Sequence, residues 1–321
     1  MLTIGIPTYN RKNQLINTLH CLKNQTNKNF KIIIVDNHSS YDVKKVLIRN
    51  FDSVFLSKIE LVVRTVNVGG DNNIMGLFDE VKNGWLWMVS DDDIEYEDSV
   101  DKIHKYIAEN EDSAVIHFVE GDYVASGDIY SLESYIDSIY NNVNKNNAEL
   151  VWGEFANICN KVYNLDIIKN RGLDTAFLFS NCSMTSGLVL LSALMCGNKI
   201  TVIRDTLHHQ NPGGWNIKRV ALSSRAICDI DFGISYKLKC KLLYIINFPY
   251  RVVLHYWLLP EAHYDEDCYI EKLYYGFYRY HLPFKEKMDY WIRMKLFSVD
   301  IIYRLHLWIH YLEHRIKKKR V

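Results

Sequence analysis

The feature that most constrains this chain is the alternation, over its first 120 residues, of short apolar runs with longer amphipathic ones. The apolar runs Leu2–Ile6, Phe30–Val35, Glu60–Val66, Trp85–Val89 and Ala114–Phe118 read as strands. Apolar runs of this kind mark strands covered on both faces, and the amphipathic stretches between them supply the covering helices. Leu15, Leu19 and Leu22 fall on one helix face, with Asn10 as the expected cap, and a second helix is expected to begin over Asp98 to Tyr106. The expected class is therefore α/β, with a mostly parallel, Rossmann-like sheet flanked by helices.

In such sheets ligands bind beyond the carboxyl ends of the strands. Polar clusters fall at those places: Pro7-Thr8-Tyr9-Asn10, Asp36-Asn37-His38-Ser39, Asn67-Val68-Gly69-Gly70 and Ser90-Asp91-Asp92-Asp93. Four loops are thus expected on one rim. The acidic run is the sharpest of them, because neighbouring carboxylates repel unless a cation or hydrogen-bond donors sit among them. Two readings remain open at this point. The run holds a hard divalent cation such as Mg²⁺ or Mn²⁺, or it caps the start of a helix, where acids favour the dipole. Asp36 is placed to accept hydrogen bonds from a ribose or base, although no G-x-G-x-x-G follows the first strand. No Walker-type phosphate loop is present either, so phosphates would have to be held by the metal.

Beyond Glu120 the periodic signal weakens, and the Asn-rich stretch 141–147 reads as a surface loop. Phe155–Tyr163 and Lys199–Ile203 read as further strands and Ser183–Cys196 as a buried helix, so the first domain is placed at 1–216. The remainder, 217–321, reads as a helical extension rich in basic and aromatic residues. From Ile234 onward it holds 16 Lys/Arg against 9 Asp/Glu, although the whole chain is neutral. Leu242–Leu259 and Tyr290–Tyr311 suit an interfacial helix beside anionic lipid, or else a helical hairpin packed on the first domain or on a second subunit of a homo-oligomer. The stretch 242–259 is interrupted by Asn247, Pro249, Arg251 and His255, which argues against a membrane span. The neutral total and acidic rim oppose nucleic-acid binding. Seven cysteines without a C-x-x-C pair, and no basic and apolar leader ahead of Leu2, point to a cytoplasmic protein, with peripheral attachment to the inner membrane face as the alternative.

The ordered segments Ile6-Pro7-Thr8-Tyr9-Asn10-Arg11, Ile34-Val35-Asp36-Asn37-His38-Ser39-Ser40, Asn67-Val68-Gly69-Gly70-Asp71-Asn72-Asn73 and Trp87-Met88-Val89-Ser90-Asp91-Asp92-Asp93 resemble the motifs of family 2 glycosyltransferases with the GT-A fold. Each motif is weak alone; four in order at the right strand ends are specific. The resemblance is strong over about the first 110 residues and extends more thinly to about Asn216. It implies inverting transfer from a nucleotide-diphosphate sugar to a hydroxyl of a glycan or lipid-linked glycan, of the bacterial polysaccharide or lipooligosaccharide type. Asp36 would bind the base, Pro7 and Tyr9 would line the nucleotide pocket, and Arg11, Asn67, Gly70, Asn73 and Asp92 would complete the donor-binding set. Asp91 and Asp93 would form the D-x-D pair, with Asp93 the direct ligand of Mn²⁺ or Mg²⁺ and Asp91 supporting the ribose or a metal-bound water. His208 matches the family's further metal contact, and Gly213-Gly214-Trp215 would be a lid.

The general base departs from the family pattern. Where members carry an acid at a helix start, this chain reads Asn181-Cys182-Ser183-Met184-Thr185-Ser186-Gly187. Asp174, then Glu154, are the candidate catalytic acids, with Asp205 as a third. A non-catalytic nucleotide-sugar-binding or scaffolding domain is the alternative function, and a nucleotidyltransferase a weaker one, since those sheets generally open on a Gly-rich phosphate loop.

Overall fold

The computed structural model describes residues 1–143, 151, 157–170, 185–209, 233–239, 241, 242 and 245. The first half alternates as expected: β1 (Leu2–Thr8), α1 (Lys12–Asn24), β2 (Lys31–Asp36), α2 (Val43–Asn50), α3 (Ser53–Leu56), β3 (Ile59–Val63), α4 (Gly70–Glu80) and β4 (Trp85–Met88). Then follow β5 (Ile94–Glu95), α5 (Ser99–Glu109), β6 (Val115–Phe118), β7 (Gly127–Ile129), α6 (Leu132–Asn142), β8 (Lys161–Asn164), α7 (Leu165–Asn170), α8 (Thr185–Met195), β9 (Ile200–Ile203) and β10 (His208–His209).

Eight strands form one sheet in the order β3-β2-β1-β4-β8-β6-β9-β7, and β10 pairs with β5 in a separate two-stranded ribbon. The pairings of β3, β2, β1 and β4 are parallel, as is β6 with β9, whereas β8 runs antiparallel to both β4 and β6, and β7 antiparallel to β9. The sheet is mostly parallel because helical crossovers return the chain to the same end; β8 reverses its direction in the middle of the sheet.

Successive side chains of a strand point to opposite faces. In β2, Ile32 and Ile34 therefore join Leu15, Leu19 and Leu22 of α1 and Ile103 of α5 on one side. Ile33 and Val35 join Leu77 and Phe78 of α4, Ile136 of α6 and Leu190 of α8 on the other. The sheet is thus packed between two helical layers, which explains why its strands read as unbroken apolar runs. Leu238, Leu242 and Ile245 are buried in the second of these cores, and Lys241 pairs with Asp137 of α6 at 2.5 Å. Leu238, Leu242 and Ile245, which fall in the segment expected as an extension, therefore pack on the sheet domain.

Several local expectations are corrected. Asn10 does not cap α1: Arg11 occupies that place, and Asn10 sits at φ 56° with its side chain turned to the loop after β2. The acidic run does not start a helix, because residues 91–93 form a turn into β5 and α5 begins only at Ser99. The strand expected at Phe155–Tyr163 begins at Lys161, after a turn at 158–160. Lys161 is wholly buried and donates to the Asn160 side chain at 2.8 Å and the Asn157 carbonyl at 3.2 Å, a satisfied polar group that interrupts the apolar pattern. In the stretch where the signal weakened, α6 carries Leu132, Tyr135, Ile136 and Ile139 at helical spacing and is capped by Ser131, whose hydroxyl accepts from the Ser134 N–H at 3.1 Å.

Gly84, ahead of β4, has φ +76°, and a Cβ there would lie 2.7 Å from the Met1 carbonyl oxygen, which itself accepts from the Trp85 N–H at 3.0 Å. A left-handed conformation costs an L-residue about 1–2 kcal/mol before any clash. Gly84→Ala is expected to lower stability by about 2 kcal/mol, read as a lower urea midpoint at unchanged m-value.

Candidate active site

The four loops expected on one rim are joined by side-chain hydrogen bonds. Thr8, at the end of β1, donates to Asp91 Oδ2 at 2.7 Å, and Arg11 donates to Asp91 Oδ1 at 3.0 Å and Asp92 Oδ2 at 2.5 Å. Asn10 Oδ1 accepts from Ser40 N–H at 2.8 Å, and Asp36 Oδ1 accepts from Ser39 N–H at 3.0 Å. Asn37 donates to Asn67 Oδ1 at 2.8 Å and accepts from the Val68 N–H at 2.9 Å. Asn73, buried in α4, accepts from Arg64 Nε at 3.0 Å and donates to the Val35 carbonyl at 3.0 Å. Asn67 and Asn73 therefore clamp the third loop to the second. Pro7 lies within β1, Tyr9 is half-exposed beside it, and Gly70 opens α4.

The acids of the run diverge, which eases their repulsion without removing it, since Asp92 still adds to the raised pKa of Asp91. Asp91 turns to Thr8 and Arg11; Asp92 to Arg11 and the Ser90 hydroxyl; Asp93 to Cys159 and His208. Burial raises the Asp91 pKa, with Thr8 and Arg11 acting in the opposite direction. Burial also works against the Arg11 charge, but the carboxylates of Asp91 and Asp92 outweigh it and its pKa rises.

Asp93, Cys159 and His208 form a group whose ligand atoms all lie within 4.8 Å of one another. The β5–β10 pairing sets Glu95 opposite His208, bringing the imidazole to the acidic turn, and Trp87 Nε1 holds the Cys159 carbonyl at 2.7 Å. Asn157 fixes the imidazole tautomer. Its Oδ1 accepts from the Cys159 N–H at 2.7 Å, so its NH₂ faces His208 Nε2, 3.1 Å away, and that nitrogen must be the acceptor. Burial lowers the His208 pKa, with Asp93 acting in the opposite direction, which favours the neutral ring. A lone pair on Nε2 thus stands 3.9 Å from Asp93 Oδ2.

A carboxylate and a neutral imidazole meeting in this way could hold a divalent cation such as Mn²⁺ once the Asn157 amide yields the Nε2 lone pair, whereas Mg²⁺, which prefers oxygen ligands, would suit the imidazole less well. The Cys159 thiol has another role. Burial first, then Asp93 and Glu95, push its pKa well up, so it stays protonated and donates to Asp93 Oδ2 at 3.1 Å. Asp91 lies outside the group of three, engaged with Thr8 and Arg11.

Thr8, Asn37, Arg64, Asn157 and Cys159 join the candidate site only through the tertiary contacts. Thr8 and Asn37 stand inside the polar clusters and were accessible there; a lone cysteine such as Cys159 carries no local signal. Glu154, Asp174 and Trp215 lie outside the described residues. The Asp205 carboxylate pairs with Lys102 at 3.0 Å and accepts from the Thr206 N–H at 2.8 Å.

Fold and rim together define an α/β domain with a mostly parallel sheet and polar loops gathered at its strand ends. The profile of glycosyl transferase family 2 matches residues 3–172, more than half of the chain, and the chain belongs to that family. An uncharacterized glycosyltransferase of Haemophilus influenzae is 30% identical over 118 residues, covering 34% of this chain and 35% of that protein. Among solved structures, TarS 1-349 of S. aureus in complex with UDP-GlcNAc superposes with a TM-score of 0.54 at 13% identity, over 81% of this chain and 76% of that one. The mannosyltransferase PcManGT of Pyrobaculum calidifontis, in complex with GDP-Man and Mn²⁺, superposes with a TM-score of 0.52 at 12% identity, over 97% and 86%. The chain spans only 45% of the longer TarS structure. These likenesses establish the GT-A fold. Among the described residues, no helix is long and apolar enough to cross a membrane.

Proposed function

We propose that this chain is an inverting glycosyltransferase that moves a sugar from a nucleotide-diphosphate donor to a hydroxyl of a glycan or lipid-linked glycan. The observation that carries the proposal is the meeting of Asp93 and His208, from separate parts of the chain, on the rim where Thr8 and Arg11 hold Asp91. Asp36, Pro7 and Tyr9 line the side of the rim assigned to the nucleoside. Arg11, paired with Asp91 and Asp92, orients both acids on the donor side of the rim, and Asp93 and His208 would hold Mn²⁺ or Mg²⁺. When bound, that ion supplies a Lewis acid for the charge developing on the leaving diphosphate. The acceptor oxygen attacks the anomeric carbon from the face opposite the diphosphate, and its proton passes to a general base, for which Asp174 and Glu154 remain the candidates. Two features of PcManGT and TarS support the donor class: their structures hold GDP-Man with Mn²⁺ and UDP-GlcNAc.

Thermal melting with UDP, GDP, CDP and TDP sugars tests the donor and the ion together, because a ligand bound only to the folded state raises the melting temperature. One nucleotide sugar is expected to stabilise the protein only when Mn²⁺ or Mg²⁺ is present, and to be slowly hydrolysed. Stabilisation without hydrolysis, with no transfer to any glycan acceptor, favours a binding or scaffolding domain; absence of any response removes the proposal.

A further inference from the structure

The donor rim lies at the carboxyl ends of β1, β2, β3 and β4. A second concavity occupies the opposite end of the sheet, where β6 and β9 begin and where the reversed strands β7 and β8 end. It is an open cleft of about 480 Å³ lined by Asp112, Tyr130, Asp166, Ile167, Asn198 and Lys199. That volume is within the range of small-molecule sites, about 300–1,000 Å³.

Asn198 is the unusual residue there. It is 3% exposed, yet both atoms of its carboxamide lack a hydrogen-bond partner. Its backbone is fixed by the end of α8: Gly197 at φ +71° donates to the Leu194 carbonyl at 3.0 Å and Asn198 N–H to the Ala193 carbonyl at 3.0 Å, the paired bonds of a Schellman turn. A buried amide with a donor and an acceptor unmet is rare; its atoms are closed to solvent as the cleft stands, and a turn of the side chain toward the cleft would let an entering group satisfy both. The rest of the lining narrows the chemistry. Lys199 is already neutralised, its Nζ 2.5 Å from Asp112 and 3.3 Å from Asp128, so it does not attract a phosphate. The same ammonium opposes a divalent cation at those acids. Asp166, whose Oδ1 accepts from the Gly84 N–H at 3.2 Å, adds a carboxylate, and a carboxylate has capacity for several donors. Tyr130, 62% exposed, offers an apolar ring face beside these polar groups. A ligand that suits this set is uncharged, carries hydroxyls able both to donate and to accept, and has a flat C–H face.

We propose that the cleft binds a neutral saccharide, stacked on Tyr130 and hydrogen-bonded to Asn198 and Asp166, as a second sugar site at the far end of the sheet from the donor rim. Such a site would let the protein hold one part of a glycan chain while another part is presented elsewhere. It depends on none of the steps assigned to the donor.

Saturation-transfer NMR on the full chain, with glucose, galactose, mannose, N-acetylglucosamine and lactose as probes, tests this. At least one probe is expected to receive saturation on the C–H protons of one ring face. Tyr130→Ala and Asn198→Leu are each expected to weaken its binding about tenfold, equivalent to about 1.4 kcal/mol. Tyr130 is exposed, so its substitution leaves the fold unchanged and keeps the test valid if Asn198→Leu melts early. Asp93→Ala is expected to retain the binding, and UDP with MnCl₂ not to displace the sugar, which separates this proposal from the donor chemistry. Binding of no probe, binding that survives both cleft substitutions, or displacement by UDP with MnCl₂ overturns it.

Discussion

Asp93→Ala is expected to lower metal-dependent sugar transfer about a thousandfold, the scale on which a preorganised electrostatic contact to a developing charge acts. Asp93 is the acid of the run whose oxygen faces His208, whereas Asp91 and Asp92 are engaged by Arg11. Removing it leaves the imidazole as the lone member of the pair and is expected to weaken the hold on the proposed ion. The fold is expected to persist, since Asp93 sits in a turn and contributes no apolar side chain to either core. Circular dichroism and the melting temperature without ligand check that condition; initial rates over a Mn²⁺ titration check the effect. A companion substitution distinguishes the role of Cys159. Because its thiol is a protonated donor to Asp93, Cys159→Ser preserves the donor and is expected to keep transfer within about tenfold, the low end of losses seen for groups that orient a metal ligand. A loss as large as that of Asp93→Ala would instead make the sulfur a ligand. A rate for Asp93→Ala close to that of the unaltered chain would remove Asp93 from the metal site.

The largest expected effect on stability belongs to Trp87. It lies in β4 between β1 and β8, is 0% exposed, and donates from Nε1 to the Cys159 carbonyl at 2.7 Å. Trp87→Ala leaves a cavity in a core that cannot close around it and is expected to cost about 4 kcal/mol, a large share of the roughly 5–15 kcal/mol that holds a domain folded. Trp87→Phe fills most of the space but strands the Cys159 carbonyl, for an expected cost of about 1–3 kcal/mol. The smaller change is the more informative. It frees the turn that carries Cys159 and Asn157, so metal-dependent stabilisation by the donor should fall along with the urea midpoint. Equal midpoints for Trp87→Phe and the unaltered chain would show that the indole N–H contributes nothing to holding that turn.

The unevenness of what could be read in advance has a physical origin. Ile32, Ile33, Ile34 and Val35 announce a strand buried on both faces because parallel strands present both sides to helices, and that requirement is written in consecutive residues. Polar clusters at strand ends are equally local, so Asp36 and Asp91 stand out in the sequence itself, whereas Arg11 enters only through the family resemblance. Asn10 misled because a side chain suited to capping a helix can equally tie two loops together, and the φ of 56° that decides between them depends on Ser39 and Ser40. The strand expected at Phe155–Tyr163 starts only at Lys161, whose burial is permitted only by partners that the turn before it supplies.

What the sequence by itself determined is the succession of buried strands and covering helices, and therefore the rim at their carboxyl ends with its acidic run. Only the tertiary structure decided that β8 enters the sheet reversed between β4 and β6, and that β10 reaches back to β5. Those pairings bring Cys159 and His208 to Asp93, and they carry Tyr130 and Asp166 to the far end of the sheet. The direction and neighbours of a strand are set by which distant edges remain to be paired and which faces remain to be covered, and neither is recorded in the strand's own residues.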